Sequence, residues 1–540
     1  MGIYLNPGNK GFKGILNGTY VDKTGLIDYV NSTINTSPDR LTCFSRPRRF
    51  GKSFAAKMLC AYYDKSCDSR ALFEGLEISR KESFEKYLNQ FDVIYLDITR
   101  FISTAEDIKN VVRDIQKKVI EELRQAYPDC VKEGETVLAD ALAAVSQRTD
   151  NEFVVIIDEW DALFREAKND SGLQKEYVQL LRGLFKGGTV TDETIAAAYI
   201  TGILPIKRYG TESALTDFQE FTMTKPDILA SYVGFTEDEV CRLCEERNIS
   251  FEKMKRWYDG YSFETIASVY SPNSVMSAIR RRSFRSYWTT SETYESLKDY
   301  ISMNFDGLKD AIVAALAGQR IGIETLSFQN DLTSFKSRDD VLTLLIHLGY
   351  FAYDEPRNQA YIPNLEVAES FKVAVQNTDW RGVNRALRAS EDLLNAAISF
   401  NSQAVAAALD EVHSSETSIL QYNDENSLSC AITIAFYTAR NYYTIIRELP
   451  TGKGFADLAF LPRKGIDKPA MIVELKYDKT ADTAIQQIKD RRYQGALKDY
   501  GGELLLVGIN YDKADENKRH TCLIEKWGYY SEGEESADDE

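Results

Sequence analysis

Residues 41–63, LTCFSRPRRFGKSFAAKMLCAYY, decide how the first half of this 540-residue chain is read. LTCFS is a short apolar, β-branched and aromatic run that suits a strand, RPRRFG holds the Pro and Gly that break regular structure, and KSFAAKMLCAYY suits a helix beginning near Gly51. A strand, a tight turn and a helix in that order make a phosphate cradle. Loop amides and the helix N-terminus face the anion, a lysine neutralises the outer phosphate oxygens, and a hydroxyl ligates magnesium. Gly51, Lys52 and Ser53 fit those roles, and Arg49 and Phe50 complete the turn on the nucleotide side. In the pattern G-x-x-x-x-G-K-[ST] the first Gly falls on Arg46, so the letters G-K-S alone are equally open to a reading as a basic helix start.

Further along, EFVVIIDEWDALF (residues 152–164) is an apolar strand that ends in Asp158 and Glu159. Beside a phosphate loop, Asp158 is expected to hold magnesium and Glu159 to orient or deprotonate the attacking water. TIAAAYITGIL (194–204) ends in Thr201 and Gly202, where a polar side chain can sense a γ-phosphate or the strand simply turns. A strand at DVIYLDITRF (92–101) and helical patterns over 106–127 and 135–147 complete an alternating order. That order predicts a doubly wound α/β domain, a parallel sheet covered on both faces.

The chain carries a second chemical pattern near its other end. From about residue 423 the order is helix (ENSLSCAITIAFYTAR), strand (YYTIIREL), strand (FADLAFLP), strand (AMIVELKY), helix (TADTAIQQIKDRRYQGALKDY) and strand (ELLLVGIN), an α-β-β-β-α-β core like that of restriction endonucleases. Asp457 lies in the second strand, and Glu474 and Lys476 in the third are two apart, so both point to one face. Carboxylates bind magnesium or manganese through oxygen, and such a metal lowers the pKa of an attacking water and offsets charge on a phosphate. Lys476 would position that water. An E-x-K alternation is common on exposed strands. Here it follows AMIV, and charges in a buried strand are costly without a metal or partners. Gln487 and Tyr493 on the next helix complete the expected nuclease site, while Lys489, Arg491 and Arg492 suit either a phosphate backbone or a solvated face.

YVDKT (20–24), RPRRFGKS (46–53), IDEWD (157–161) and ITGI (200–203) resemble the bacterial and archaeal AAA-ATPase-like family, in which the basic loop form replaces the first Gly. The usual partner of that family on the same chain is a nuclease of the PD-(D/E)XK superfamily. LPTGKGFADLAF (449–460), IVELKY (472–477) and QQIKDRRY (486–493) are similar to that nuclease's motifs, with Ala456 in place of the superfamily's Pro. By the same resemblance Glu425 is an additional metal-site acid, although an acid at a helix start is also favoured by the helix dipole. WYDGYSF (257–263), VYSPNSV (269–275), YWTTS (287–291), GYFAYDE (349–355) and YIPNLEV (361–367) extend the resemblance through the middle of the chain.

Together these readings divide the chain into an ATPase-like domain (1–235), a mostly helical region (236–415), a nuclease-like domain (416–530) and an acidic tail (531–540). The helical region opens on Thr236 with Asp238 and Glu239 behind it, and residues 350–363 suit a short winged element. Cys241 and Cys244 form a C-x-x-C with no second pair nearby, so zinc is not expected. At 44% hydrophobic and 27% charged the composition is that of a folded protein, not a disordered one. No apolar run approaches the roughly 18 to 20 residues of a membrane span, and the first residues lack a signal peptide's apolar core, so a cytoplasmic protein is expected. The net charge of −17 opposes strong non-specific binding to nucleic acid, yet residues 440–500 hold twelve bases against eight acids. The expectation is an ATP-binding and hydrolysing chain whose C-terminal domain, with magnesium or manganese, cleaves DNA, in defence against foreign DNA or in its mobility. A homo-oligomer is compatible with this. The alternative is a nucleotide-controlled switch whose nuclease-like domain binds nucleic acid or protein without efficient cleavage.

Overall fold

The computed structural model describes residues 2–37, 39–186, 188–206, 215, 217–288, 293–329, 335–413, 425–451, 454–491, 502–515 and 520–527. The chain forms two compact units, one of residues 1–293 with 321–370 and one of residues 294–320 with 371–540.

In the first unit β1 (Leu41–Ser45), β2 (Asp92–Asp97), β3 (Phe153–Asp158), β4 (Ile195–Gly202) and β5 (Gln219–Phe221) form a wholly parallel sheet in the order β2-β3-β4-β1-β5. β1, β3 and β4 are buried along their whole length, which is why they read as unbroken apolar runs. Parallel neighbours need crossovers, and helices supply them. Helix Val111–Ala126 buries Val111, Val112, Ile115, Val119, Ile120 and Leu123, a stripe that includes three- and four-residue steps, against a core that holds Val155 and Ile157 of β3. The helix expected near Gly51 runs Lys52–Tyr63. The expected strand over 92–101 is shorter: it stops at Asp97, whose carboxylate accepts the Arg100 N–H at 3.0 Å and starts helix Ile98–Thr104.

The rest of this unit is mostly helical but includes two small antiparallel sheets. β6 (Phe235–Thr236), β7 (Tyr261–Phe263) and β8 (Ile266–Tyr270) pair in the order β6-β8-β7; β9 (Ile321–Gly322), β10 (Ala352–Asp354) and β11 (Gln359–Tyr361) pair in the order β10-β11-β9. The β10–β11 hairpin follows helix Arg338–His347 and occupies the stretch that suits a winged element. Thr236 and Glu239 form a reciprocal capping box on helix Glu237–Arg247. Trp257 and Tyr258 serve packing, with the Tyr258 ring fully buried and its hydroxyl donated to the Arg285 carbonyl at 3.0 Å.

The second unit holds β12 (Tyr443–Thr451), β13 (Gly454–Pro462), β14 (Ala470–Tyr477), β15 (Leu504–Tyr511) and β16 (His520–Trp527), hydrogen-bonded in that order. Only β14 and β15 run parallel, joined by helix Ala481–Asp490; the other pairs are antiparallel. Helix Glu425–Ala435 precedes the sheet. This is the expected α-β-β-β-α-β core with one more strand, β16, at its edge. All eight Cys are free thiols, Cys241 and Cys244 among them. Among the described residues no helix is long and apolar enough to cross a membrane.

Candidate nucleotide and nuclease sites

The phosphate loop leaves the carboxyl end of β1, where ligands of parallel sheets gather. Gly51 takes φ 97°, a left-handed conformation that a side chain strains, and directly precedes helix Lys52–Tyr63. A cavity of about 1070 Å³ opens over the loop, lined by Arg49, Phe50, Gly51, Lys52 and Ser53 together with Asp158 and Glu159. Lys52 is buried, and its Nζ donates to the carbonyls of Arg46 and Pro47, each at 2.9 Å, and lies 3.7 Å from Glu159. Burial lowers the Lys52 pKa, an effect that Glu159, Asp161 and Asp158 oppose. Arg46, at the position of the missing Gly, is fully buried with its guanidinium 4.5 Å from the Phe44 ring and bonded to the Ser45 and Thr222 carbonyls. Burial pushes its pKa down to about 9, with the Tyr199 hydroxyl opposing the shift.

β2, β3 and β4 align Asp97, Asp158 and Thr201 in register. Burial pushes the Asp158 carboxyl up to about 6, with the Ser53 hydroxyl offsetting part of the rise. Its Oδ2 accepts from Tyr95 Oη at 3.5 Å, while the buried Oδ1 has no hydrogen-bond partner among the described residues. Burial alone would raise Glu159 too, but Lys52, Arg165 and Arg48 hold it below the usual carboxylate range. Glu159 is salt-bridged to Arg165. Thr201 is fully buried, and its hydroxyl also lacks a partner among the described residues.

Two supports of this site were not readable as such. Asp161 accepts the N–H groups of Ile203 at 3.2 Å and Leu204 at 3.0 Å and pairs with Arg165 Nε at 3.1 Å, so it fixes the chain leaving β4. The repeated acid in IDEWD was the available signal. In YVDKT, Asp22 accepts the Thr24 and Glu77 N–H groups at 2.9 and 2.7 Å. Lys23, which lines the cavity, donates to both Glu239 oxygens at 2.8 and 2.7 Å and to the Ser231 carbonyl at 2.6 Å. It ties the cavity wall to the capping box of helix Glu237–Arg247.

At the second site the β13–β14 ladder stops at Leu458 and Val473, one residue short of Asp457 and Glu474. Beyond it the Asp457 carboxylate accepts the Leu475 N–H at 2.7 Å. Glu474 and Lys476 are both buried, and Lys476 Nζ donates to Glu474 Oε1 at 2.8 Å and to the Leu475 carbonyl at 3.1 Å. Gln487 reaches the same Glu474 oxygen from helix Ala481–Asp490. Burial, then the Asp457 charge, pushes the Glu474 carboxyl up to about 7. The structure thus gathers Asp457, Glu474, Lys476 and Gln487. Glu425 heads its helix, but its side chain lies outside the described residues, as do Tyr493 and Arg492. Lys489 pairs with Glu525 at 2.6 Å, which favours the solvated-face reading for it.

Both sites suit a divalent cation on the same physical ground. Among the described residues Asp158 Oδ1 and Glu474 Oε2 are buried carboxylate oxygens without a hydrogen-bond partner, a costly state that an oxygen-binding cation relieves. Among the described residues no three His, Cys, Asp or Glu side chains cluster to hold a metal, so the second site rests on two described carboxylates.

The chain is similar to known proteins in both parts. An "Uncharacterized protein in vnfD 5'region" of Azotobacter chroococcum mcd 1 is 23% identical over 368 residues, which cover 66% of each chain. The solved ORC2 protein of Aeropyrum pernix aligns with a TM-score of 0.32 and 12% identity over 68% of this chain and 98% of that one, a likeness too loose to fix a fold. Residues 8–211 match the family described as predicted AAA-ATPase, and residues 423–521 match the PD-(D/E)XK nuclease superfamily. The chain therefore carries an AAA-ATPase-like domain followed by a PD-(D/E)XK nuclease superfamily domain.

Proposed function

We propose that this chain is an ATP-dependent or ATP-regulated DNA nuclease. The observation that carries the reading is the pair of orphaned carboxylate oxygens, Asp158 Oδ1 beside the phosphate loop and Glu474 Oε2 beside Lys476. At the first site Arg49, Phe50, Gly51, Lys52 and Ser53 receive ATP, Lys52 leaving its loop carbonyls for the phosphates. Ser53 and Asp158 hold magnesium, Glu159 orients or deprotonates the attacking water, and Thr201 senses the γ-phosphate through the strand end. At the second site Asp457 and Glu474, with Glu425, hold magnesium or manganese. When bound, the metal supplies an activated water and charge stabilisation at the scissile phosphate. Lys476 orients that water and offsets the developing charge, while Gln487 and Tyr493 complete the pocket. The division at residues 235, 415 and 530, a cytoplasmic location, a homo-oligomeric state and a role in defence against or mobility of foreign DNA belong to the same reading.

The test incubates the purified chain with linear and circular DNA and magnesium or manganese, with and without ATP. Lys476→Ala is expected to lose at least about a hundredfold in cleavage, the scale of a removed electrostatic stabiliser. Lys52→Ala is expected to lose ATP turnover and the effect of ATP on cutting. Unchanged cleavage in Lys476→Ala overturns the nuclease assignment, and unchanged turnover in Lys52→Ala overturns the ATP assignment.

A further inference from the structure

Several side chains of the phosphate loop touch residues from the later part of the same unit. The Arg46 guanidinium lies 5.2 Å from the Phe263 ring, and Phe50 packs edge-on against Tyr261 with centroids 5.4 Å apart. Pro47 abuts Gly349 so closely that a Cβ there would meet Pro47 Cγ at 2.7 Å. Arg49 lines the cavity, yet its Nη1 donates to the Tyr287 carbonyl at 2.8 Å. It holds φ 72°, a left-handed conformation uncommon for a bulky residue, so the loop's fold imposes its position.

The same Tyr287 is held from its other side. Its N–H donates at 2.7 Å to Oε1 of Glu366, a residue that is 1% exposed. Burial pushes this carboxyl up to about 7, against the Ser274 hydroxyl, the Tyr287 N–H and the Arg49 charge. One residue's backbone is therefore gripped by a cation at its oxygen and a carboxyl group at its nitrogen. Glu366 has no part in the chemistry proposed above, and for Arg49 that chemistry leaves this second bond unexplained. The chain passes to the second unit soon after each of these points, at residues 293/294 and 370/371.

We propose that Arg49 is a nucleotide-sensing positioning residue, whose guanidinium exchanges the Tyr287 carbonyl for a phosphate oxygen of bound nucleotide and so loosens the Glu366-held segment around Tyr287. This rests on the nucleotide reading of the cavity. A guanidinium prefers an ionised phosphate to a neutral carbonyl, because both partners of the new bond are charged. Its five donors in a planar fork let it change acceptors with a small movement of the head group. In the nucleotide-free chain the Tyr287 carbonyl satisfies the cation. With nucleotide the Arg49 bond to that carbonyl is given up while the Glu366 bond to the N–H remains, and occupancy is reported at a segment that leads out of the unit.

The test is hydrogen–deuterium exchange of the full chain on peptides covering 283–288, with and without ATP and magnesium, beside titration with a fluorescent ATP analogue. In the wild type ATP is expected to speed exchange at the Tyr287 amide several-fold. Arg49→Ala should bind the analogue about tenfold more weakly and exchange quickly whether or not ATP is present. Arg49→Lys keeps the charge but not the fork, and is expected to bind more weakly than wild type, less weakly than Arg49→Ala, with no ATP response at 283–288. Glu366→Gln should leave affinity within about twofold while raising exchange in both states. Binding by the wild type with unaltered exchange at 283–288, or an intact response in Arg49→Lys, overturns the inference alone. A wild type that binds no nucleotide overturns the nucleotide reading and this inference with it.

Discussion

At Glu474 burial and the Asp457 charge push the carboxyl from the ordinary glutamate range up to about 7. Between those two values the folded chain keeps a proton that the unfolded chain has already released. Stability therefore falls as pH rises through that window and levels off above it. Asp158, at about 6, and Glu366, at about 7, contribute in the same direction in the other unit. A divalent cation takes only the ionised carboxylate, so its affinity rises over the same window. Calorimetry of the metal-free chain from about pH 5 to about pH 8 is expected to show a falling melting temperature for the nuclease unit, restored by manganese most strongly at the alkaline end. Glu474→Gln should remove the metal response and flatten that part of the slope. A slope in that unit unaltered by Glu474→Gln shows that another group sets it. The burial of Glu474 was legible from its place after AMIV, and a buried charge demands a reason. The role of Lys23 was not legible: its carboxylate partner, Glu239, is 216 residues away along the chain, and nothing local signals it.

Where the second unit's helix meets its sheet, the fit depends on one residue without a side chain. Gly508 of β15 sits beside Glu474 of β14 in the parallel ladder. A Cβ there would lie 2.4 Å from the Ala481 carbonyl oxygen and 3.0 Å from Ile485 Cγ1, both on helix Ala481–Asp490. The backbone oxygen cannot rotate away, so Gly508→Ala must push the helix off the sheet, at a cost of about 1–3 kcal/mol. Because that helix carries Gln487 to Glu474, the variant is expected to lower cleavage as well as the unit's midpoint in a denaturant melt. A wild-type midpoint would show that the helix and strand do not pack this closely. The same elements show what a sequence can carry. β13, β14 and β15 are apolar runs bounded by breakers, and they fall where periodicity places them. β16 escaped because it is a partly exposed edge, HTCLIEKW, whose polar and apolar residues do not alternate cleanly. β6 and β9, of two residues each, are too short to show any period, and pairing with distant partners creates them.

Across the whole molecule, the two sites fall in different compact units, with Lys52 and Asp158 in one and Asp457 and Glu474 in the other. Each unit has its own sheet and its own buried apolar residues, so each contains what a cooperative unfolding step requires. A ligand that binds only the folded form stabilises it by about 2.7 kcal/mol at a hundred times its dissociation constant. In domains of this size that is a rise of several degrees. Two heat transitions are therefore expected in scanning calorimetry. ATP with magnesium should raise one of them, and Lys52→Ala should abolish that rise while sparing the other transition. Manganese without nucleotide should raise the second, and Asp457→Ala should abolish that rise alone. Because the first unit resumes at residue 321 after the chain has visited the second, the opposite result is physically concrete: one transition that either ligand shifts. That outcome would mean the crossing segments bind the two units into a single cooperative body. ATP would then act on DNA cleavage through global stability, with no need for a local signal at the phosphate loop.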